Sequence, residues 1–144
     1  MELSFILDTD LISILQSQTR PAYDRLQSRL ELHPQSAIQV SIISLQEQIR
    51  GWMAFLNRAR FSEDVIKAYS RLEGVFRYYY DSNFLPFGPE AQTHFIDLRR
   101  QRIKIGTLDL RIASIALATS STLLSRNLRD FRTVPGLVVE DWTQ

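Results

Sequence analysis

Residues 5–10 read Phe-Ile-Leu-Asp-Thr-Asp and indicate how the chain folds. Its first three residues form a short apolar run, which is typical of a strand buried in a sheet. Asp8 follows directly, and positions 8–10 carry residue types that cap helices, ahead of apolar residues at helical spacing from Leu11 onward. A strand therefore ends where a helix begins, and an aspartate stands at the junction.

The same alternation of apolar runs and helical spacing continues along the chain. It predicts further strands at 37–42, 84–87, 122–125 and 136–139, and further helices at 21–33, 44–57, 62–80, 90–102, 109–117 and 127–131. Strands separated by helices predict an α/β fold, a three-layer α/β/α sandwich with a mostly parallel sheet of four to five strands. We expect residues 1–144 to form one domain, with a helical hairpin at about 44–80.

Two serines are predicted to cap the helices of this hairpin. Ser44 and Glu47 have the hydroxyl-x-x-Glu spacing of a capping box. Ser62, followed by two acidic residues, has the residue types of an N-terminal cap for the second helix.

Composition restricts the classes of function. The chain has 17 basic and 16 acidic residues and a net charge of +1, so any attraction to nucleic acid must come from local clustering. It has no cysteine, which excludes disulfides, thiolate catalysis and cysteine-ligated zinc. The N-terminal stretch from Met1 to Asp8 has no basic region and is not expected to be a signal peptide. No run of roughly 18 apolar residues predicts a membrane span, so we expect a cytoplasmic protein.

Four acidic residues are predicted to meet at one end of the sheet. In a parallel sheet, ligands collect outside the carboxyl ends of the strands. Asp8 ends the first strand, Glu47 lies in the helix after the second, and Asp130 lies just past the fourth. Asp109 begins the helix that precedes the fourth strand. Each also has a purely structural interpretation, as a helix cap, a capping-box partner, a helix N-terminal charge or a surface charge.

Converging carboxylates favour a divalent cation. They repel one another unless such a cation neutralises them, and oxygen-only clusters suit Mg²⁺ or Mn²⁺. These ions retain waters and bridge to phosphate oxygens, so the chemistry indicated is hydrolysis of phosphoesters or phosphodiesters. The two histidines, His33 and His94, are too isolated in sequence to indicate a further metal site.

Four sequence blocks, taken in order, resemble the PIN-domain ribonucleases, and among them most closely the VapC toxins of type II toxin–antitoxin systems. The blocks are FILDTD at 5–10, VSIISLQE at 40–47 with Gly51, IGTLDLRIA at 105–113, and LSRNLRDF at 124–131 followed by VPGL at 134–137 and EDW at 140–142. The resemblance covers nearly the whole chain. The family more often has asparagine where this chain has Asp10.

The resemblance implies a metal-dependent endoribonuclease and the roles of its residues. Asp8, Glu47, Asp109 and Asp130 would be catalytic and bind Mg²⁺ or Mn²⁺. Relatives place the fourth acid either at the position of Asn127 or at that of Asp130, and both remain open. Thr9, Ser125 and Asn127 are expected to hydrogen-bond metal waters or the neighbouring carboxylates.

The resemblance also implies partners. The substrate would be RNA, often a structured RNA such as tRNA or rRNA, and Arg111, Arg126 and Arg129 are candidates for phosphate contacts. A small antitoxin protein and a second copy of the chain are the expected protein partners. An apolar patch on the central hairpin would suit either of them. Some aromatic residues of the hairpin would form this patch, although most of them are expected to be buried in the core. They are Trp52, Phe55, Phe61, Tyr69, Phe76, Tyr78, Tyr79 and Tyr80.

Two other functions fit parts of the sequence. A strand that ends in Asp-x-Asp also describes phosphatases of the haloacid dehalogenase type, with Asp8 as nucleophile and Asp10 as acid. The later lysine and paired aspartates of such enzymes are not found, and the chain is short for that fold. The second alternative is a binding module that keeps the fold without catalysis.

Overall fold

The computed structural model describes residues 2–144; Met1, part of the N-terminal stretch considered above, lies outside them. Five parallel strands form one sheet: β1 (Phe5–Leu7), β2 (Ile38–Ser41), β3 (Asn83–Leu85), β4 (Thr122–Leu124) and β5 (Val139–Glu140). Their order across the sheet is β3-β2-β1-β4-β5. The predicted α/β sandwich is confirmed, and its sheet is wholly parallel.

Within the described part of the chain, seven helices flank the sheet. They are α1 (Thr9–Ser17), α2 (Ala22–Leu30), α3 (Ile42–Arg58), α4 (Ser62–Tyr80), α5 (Pro89–Arg100), α6 (Thr107–Ala118) and α7 (Leu128–Phe131), with a short 3₁₀ turn at Gln35–Ala37. Among the helices of residues 2–144, none is both long and apolar enough to cross a bilayer.

The central strand β1 explains the three layers. All three of its residues are buried, as expected for a parallel strand covered on both faces. Ile6 belongs to a core formed with α5 and α6, whereas Phe5 and Leu7 belong to a core formed with α1, α2 and α4. Because side chains alternate between the faces of a strand, the run at 5–7 supplies both cores.

The helix α6 packs closely because its inner residues are small. Ala113 and Ala116 are fully buried, and Ser114 satisfies its buried hydroxyl by donating to the Leu110 carbonyl at 2.7 Å. This brings the first turn of α6, which carries Asp109, beside the carboxyl end of the sheet.

The helices α3 and α4 pack side by side. The three tyrosines at the end of α4 face three environments, since Tyr79 is buried, Tyr78 is half-buried and Tyr80 is 79% exposed. The outer face of α4 carries an exposed apolar stripe, which we call the α4 stripe: Ile66, Tyr69, Phe76 and Tyr80.

The predictions of the two helix caps are wrong. The helix α3 begins at Ile42, and its cap is Ser41, whose hydroxyl accepts from the Ser44 amide at 3.3 Å. Ser44 is thereby free to face the acidic site. The helix α4 begins at Ser62, its N-cap position is Phe61, and no side chain caps it. In both cases the chain enters the helix earlier than the serine spacing indicates.

Several predicted bounds also differ. The last strand is Val139–Glu140 instead of 136–139, and Gly136 itself has a left-handed conformation (φ +80°) that does not belong to a strand. The helix α5 runs from Pro89 to Arg100, two residues short of the predicted end, and Arg102 is left-handed (φ 60°).

The corrected caps can be tested by a pair of substitutions. We expect Ser41→Ala to lower the free energy of unfolding by about 1 kcal/mol, because the Ser44 amide loses its acceptor in a buried place. Ser62→Ala should change it by less than about 0.5 kcal/mol, since no cap bond is lost. Urea unfolding of both variants measures the difference, and an equal effect of the two would contradict the assignment.

Candidate metal centre

Three carboxylates meet at the carboxyl end of the sheet. Asp8 follows β1, Glu47 lies in the second turn of α3 after β2, and Asp109 lies in the first turn of α6. One oxygen from each of the three lies within 4.8 Å of the other two. The strands β2, β1 and β4 are neighbours in the sheet. The chain continues from β1 to β2 on one side, whereas β4 pairs with β1 on the other side. An open parallel sheet forms a crevice at such a point, outside the carboxyl ends of its strands.

Asp8 is the most buried of the three acids, at 8% exposure. One carboxylate oxygen caps α1 by accepting from the Thr9 amide at 2.8 Å, and the other accepts from the Ser125 hydroxyl at 2.7 Å. Burial raises the pKa of Asp8 from 3.8 to about 6, with smaller increases from the charges of Asp109 and Glu47, against the lowering by those two hydrogen bonds. Without a cation, a pKa of about 6 means that this carboxyl group takes up a proton just below neutral pH.

Glu47 is oriented by a hydroxyl from a different helix. The Thr9 hydroxyl donates to Glu47 Oε1 at 2.7 Å and lies 2.9 Å from the hydroxyl of the fully buried Ser44. Thr9 begins α1, whereas Ser44 and Glu47 lie one turn apart on α3. This contact therefore holds the starts of the two helices together around the acids.

Asp130 lies next to the three acids but is not one of the residues brought within 4.8 Å. Burial raises the pKa of Asp109, and the charge of Asp130 adds to this after that of Glu47, so Asp130 is electrostatically part of the site. Asn127 caps α7 and donates from its amide to Asp130 Oδ2 at 3.1 Å. The backbone N–H of Asn127 donates to the Ser125 hydroxyl, and this hydroxyl donates to Asp8.

The donors fit a hard divalent cation. All of them are carboxylate oxygens that are partly withdrawn from water, and the charge of Glu47 contributes to the raised pKa of both Asp8 and Asp109. A cation between them removes the repulsion and restores the charged forms. A purely structural role explains Asp8 as a cap, but it does not explain why Glu47 and Asp109 converge on it.

The three candidate arginines have different surroundings. The guanidinium of Arg126 lies 3.6 Å from Asp10 Oδ2, and both side chains are about half exposed. Arg129 is exposed. Arg111 lies with its guanidinium 5.2 Å from the centre of the Phe95 ring. His33 stacks on Trp142 at 5.3 Å, in the aromatic packing of the C-terminus.

Sequence reasoning missed two features beside the site. The amide groups of Gln16 and Gln48 form a reciprocal pair, with distances of 2.7 and 3.2 Å, that joins α1 to α3 one residue after Glu47. Tyr79, assigned to the core, has a buried hydroxyl whose pKa is raised by burial first and by the charges of Tyr78 and Glu47 after it. For the amide pair, the sequence does offer a signal, because the polar residue Gln48 directly follows the candidate ligand Glu47 on a helix.

Comparison with known proteins gives a consistent picture. No protein-family model matches the chain. The tRNA(fMet)-specific endonuclease VapC of Salmonella typhimurium is 29% identical over 144 residues, which cover 97% of this chain and 98% of the relative. Ribonuclease VapC2 of Rickettsia felis is 39% identical over 46 residues, and there the chain spans about a third of the relative's length.

Solved structures with the same fold include two that bear the name VapBC. The chain is similar to one in the DNA-bound VapBC crystal structure from Salmonella typhimurium, with a TM-score of 0.75, 25% identity, and coverage of 98% of this chain and 99% of that one. VapBC-1 from nontypeable Haemophilus influenzae gives a TM-score of 0.74 at 24% identity, over 99% of this chain and 100% of that one.

The burial of Asp8 predicts how stability depends on pH without metal. The pKa of Asp8 is about 6 in the folded chain, above the unfolded value of 3.8. Its contribution to the free energy of unfolding is therefore fully present below pH 4 and is lost as pH rises through 6. The loss is at most about 3 kcal/mol by pH 7. We expect Asp8→Asn, which keeps a neutral group there, to become more stable relative to the unchanged chain between pH 4 and 7 in EDTA.

Chemical denaturation at several pH values measures this difference. Added Mg²⁺ should stabilise the unchanged chain at pH 7 and leave Asp8→Asn nearly unaffected, because the variant lacks one of the three carboxylates. A stability difference independent of pH would show that Asp8 is not held in a desolvated, repulsive place.

Proposed function

We propose that this chain, a VapC-like protein with the PIN-domain fold, is an endoribonuclease that hydrolyses RNA phosphodiester bonds with Mg²⁺ or Mn²⁺ and acts as the toxin of a toxin–antitoxin pair. The observation that carries the proposal is the convergence of Asp8, Glu47 and Asp109 within 4.8 Å at the carboxyl end of the parallel sheet. Relatives that align over nearly the whole chain are ribonucleases by name.

The chain's own residues would hold and orient the ion. Asp8, Glu47 and Asp109 supply its oxygen ligands, and Ser125 and Thr9 keep the Asp8 and Glu47 carboxylates in place through their hydrogen bonds. A divalent cation bound there lowers the pKa of water and neutralises charge on the phosphate oxygens. No side-chain nucleophile is required, which agrees with the absence of cysteine and with a single histidine per half of the chain.

Asp130 is proposed as the fourth acid, with Asn127 as the residue that positions it. The Asn127 amide holds Asp130 Oδ2, and the Asp130 charge acts on Asp109. In this position, Asp130 would hold a water molecule bound to the ion, or a second ion beside the first.

The alternative functions are less well supported. In an aspartate-nucleophile phosphatase, Asp10 would act as the acid beside Asp8, but here Asp10 is exposed and pairs with Arg126. A binding module without catalysis has no need to keep three acids together at a cost in repulsion. The comparisons also favour the ribonuclease.

The RNA is proposed to be a structured one, tRNA or rRNA, in the cytoplasm where these occur. The relative from Salmonella typhimurium is a tRNA(fMet)-specific endonuclease by name. Arg126 and Arg129 lie within five residues of Ser125 and are exposed, so they are proposed to contact phosphates near the ion. Arg111, packed on Phe95, is the weaker candidate of the three.

An antitoxin and a second copy of the chain are the proposed protein partners. The solved structures similar to this chain are VapBC complexes, which supports an antitoxin. The α4 stripe exposes four large apolar side chains by 59–79% each, more than the surface of a small monomer usually leaves uncovered in one place. We propose that a protein partner covers it.

Incubation with total bacterial RNA tests the enzyme directly. The purified chain should produce discrete RNA fragments with Mg²⁺ or Mn²⁺ and none in EDTA. Asp8→Asn, Glu47→Gln and Asp109→Asn should each lower the cleavage rate by about a hundredfold or more, because each removes a charged ligand of the ion.

Further variants sharpen the outcome. Asp130→Asn should lower the rate by less than Asp8→Asn, since it lies outside the closest group of acids. Arg25→Gln, an exposed change on α2 away from the acids, is the matched control and should cleave normally. Cleavage that persists in EDTA or in the Asp8→Asn protein would refute the metal mechanism, and intact RNA beside folded, RNA-binding protein would favour the binding module.

The mass of the purified chain tests the dimer. Light scattering at micromolar concentration should give twice the 16.7 kDa of one chain. A mass of one chain throughout would contradict the homodimer and leave the α4 stripe to another protein.

A further inference from the structure

An ion pair lies beside the acidic site and joins two elements that build it. The Asp10 carboxylate, in the first turn of α1, is 3.6 Å from the guanidinium of Arg126, in the loop between β4 and α7. The two segments run side by side, since the Asp8 amide donates to the Leu124 carbonyl at 2.9 Å and the Ser125 hydroxyl donates to Asp8 at 2.7 Å. We call this contact the Asp10–Arg126 pair.

Asp10 is not one of the acids that converge. The oxygens found close enough together to hold an ion, within residues 2–144, come from Asp8, Glu47 and Asp109. In the first turn of α1, the charge of Asp10 favours the helix N-terminus. That structural role needs no arginine, so the pairing with Arg126 requires an explanation of its own.

The Asp10–Arg126 pair is loose. A separation of 3.6 Å is too long for a hydrogen bond between these atoms, and the side chains of Asp10 and Arg126 are 59% and 51% exposed. Water and salt screen such a pair, so it contributes little to stability. A phosphate offers the guanidinium two short, charge-assisted hydrogen bonds in its place. Arg126 can therefore exchange Asp10 for a phosphate.

The charges around the site give this exchange its importance. Three carboxylates converge there, and Asp130 acts on Asp109 from beside them. A single divalent cation neutralises only two negative charges, so an RNA phosphate would approach a site that remains negative. Cations near the site have to offset that charge, and Asp10 cancels the charge of one of them.

Arg129 provides the contrast within the same region. It is exposed, three residues after Arg126, and it takes part in none of the four ion pairs found within residues 2–144. Arg129 is therefore available to a phosphate at once, whereas Arg126 must first leave Asp10. The restrained arginine is the one that directly follows Ser125, whose hydroxyl bonds Asp8.

We propose that Asp10 restrains RNA binding by competing with the phosphate backbone for Arg126. This rests on the proposed function and deepens it, because it makes Asp10 a residue that sets the affinity of the same site for RNA. In the free chain the carboxylate holds the guanidinium. When RNA binds, a phosphate displaces the carboxylate, and the loss of the ion pair lowers the affinity for RNA. Asp10 is thus a positioning residue that acts through Arg126.

A double-mutant cycle of RNA binding tests the proposal. Fluorescently labelled, unfractionated bacterial tRNA is titrated with Mg²⁺ at several salt concentrations, in an Asp109→Asn background that is not expected to cleave. Asp10→Asn should tighten binding about threefold, the effect of losing one exposed ion pair, and steepen the salt slope of log Kd by about one. In the presence of Arg126→Gln, the same change should alter Kd by less than about 1.5-fold, because the arginine that Asp10 restrains is gone.

Asp24→Asn is the matched control. Asp24 lies in the first turn of α2, its carboxylate is 3.6 Å from the Arg20 guanidinium, and the two side chains are 55% and 69% exposed. This pair is similar to the Asp10–Arg126 pair in length and exposure, but α2 carries none of the acids of the site. Asp24→Asn should leave Kd unchanged. Asp10→Glu, which keeps the charge, should bind within about twofold of the parent.

Cleavage of total bacterial RNA gives a second readout. In the otherwise unchanged chain, Asp10→Asn should cleave about threefold faster at low RNA concentration and at an equal rate at saturating RNA, because Asp10 acts on binding and not on the ion. Loss of a charge at a helix N-terminus lowers only the free energy of unfolding, so it cannot produce this separation of KM from kcat. Circular dichroism shows whether each variant is folded.

Four outcomes would overturn the proposal. They are a parent that does not bind tRNA, an Asp10→Asn variant that binds no more tightly than the parent, an equal tightening with and without Arg126→Gln, and an equal tightening by Asp24→Asn. Weaker binding by Asp10→Asn would mean that Asp10 holds Arg126 in place for the phosphate. Tightening that persists with Arg126→Gln would mean that Asp10 repels RNA directly.

The cleavage activity of the unchanged chain is read separately from the binding cycle. If the cycle gives the expected result but the unchanged chain never cuts RNA, the proposed function fails and the restraint by Asp10 stands. If the unchanged chain cuts RNA and Asp10→Asn changes neither Kd nor the cleavage rate, the restraint fails and the proposed function stands.

Discussion

Three carboxylates lie within 4.8 Å of one another at the carboxyl end of the sheet, and the most buried of them follows the central strand β1. Mutual repulsion and burial both act against the charged forms, which is why the pKa of Asp8 rises to about 6. A fold assembled only for stability would place an apolar or uncharged residue there. The surrounding structure is organised to hold these acids in spite of that cost.

Hydrogen bonds from three elements hold them. Ser125, at the end of β4, and the first amide of α1 fix the two oxygens of Asp8. Thr9 reaches across to α3 and fixes Glu47, with the buried Ser44 behind it. Each of these hydroxyls lies at a strand end or a helix start, where the backbone changes direction and a short side chain can reach a neighbour. The site therefore depends on the strand order β2-β1-β4 that brings those ends together.

Sequence patterns were sufficient for the fold because its elements are locally consistent. The buried run at 5–7, the small-residue helix α6 and the long apolar spacing of α4 each favour one structure. The convergence of Asp8, Glu47 and Asp109 could be predicted because Asp8 ends a strand and the other two lie near the starts of helices next to the same end of the sheet. Helix starts did not follow, since Ser41 and Ser44 have the same side chain and only the backbone direction decides which of them caps α3.

Contacts between helices could not be predicted from the sequence, for a different reason. The Gln16–Gln48 pair and the Thr9–Glu47 bond join residues more than 30 positions apart, and no periodicity relates them. Arg126 illustrates the same limit, because its pairing with Asp10 depends on β4 lying beside β1. Only the topology brings such partners within reach.

The helices α1 and α3, which orient the acids, are joined by side-chain contacts at two places. Thr9 and Gln16 lie at the start and near the end of α1, and Glu47 and Gln48 are adjacent on α3, so the two contacts fix the angle between the helices as well as their separation. The orientation of Glu47 therefore depends on how α1 packs against α3, because Thr9, which donates to Glu47, belongs to the helix that the Gln16–Gln48 pair holds in place.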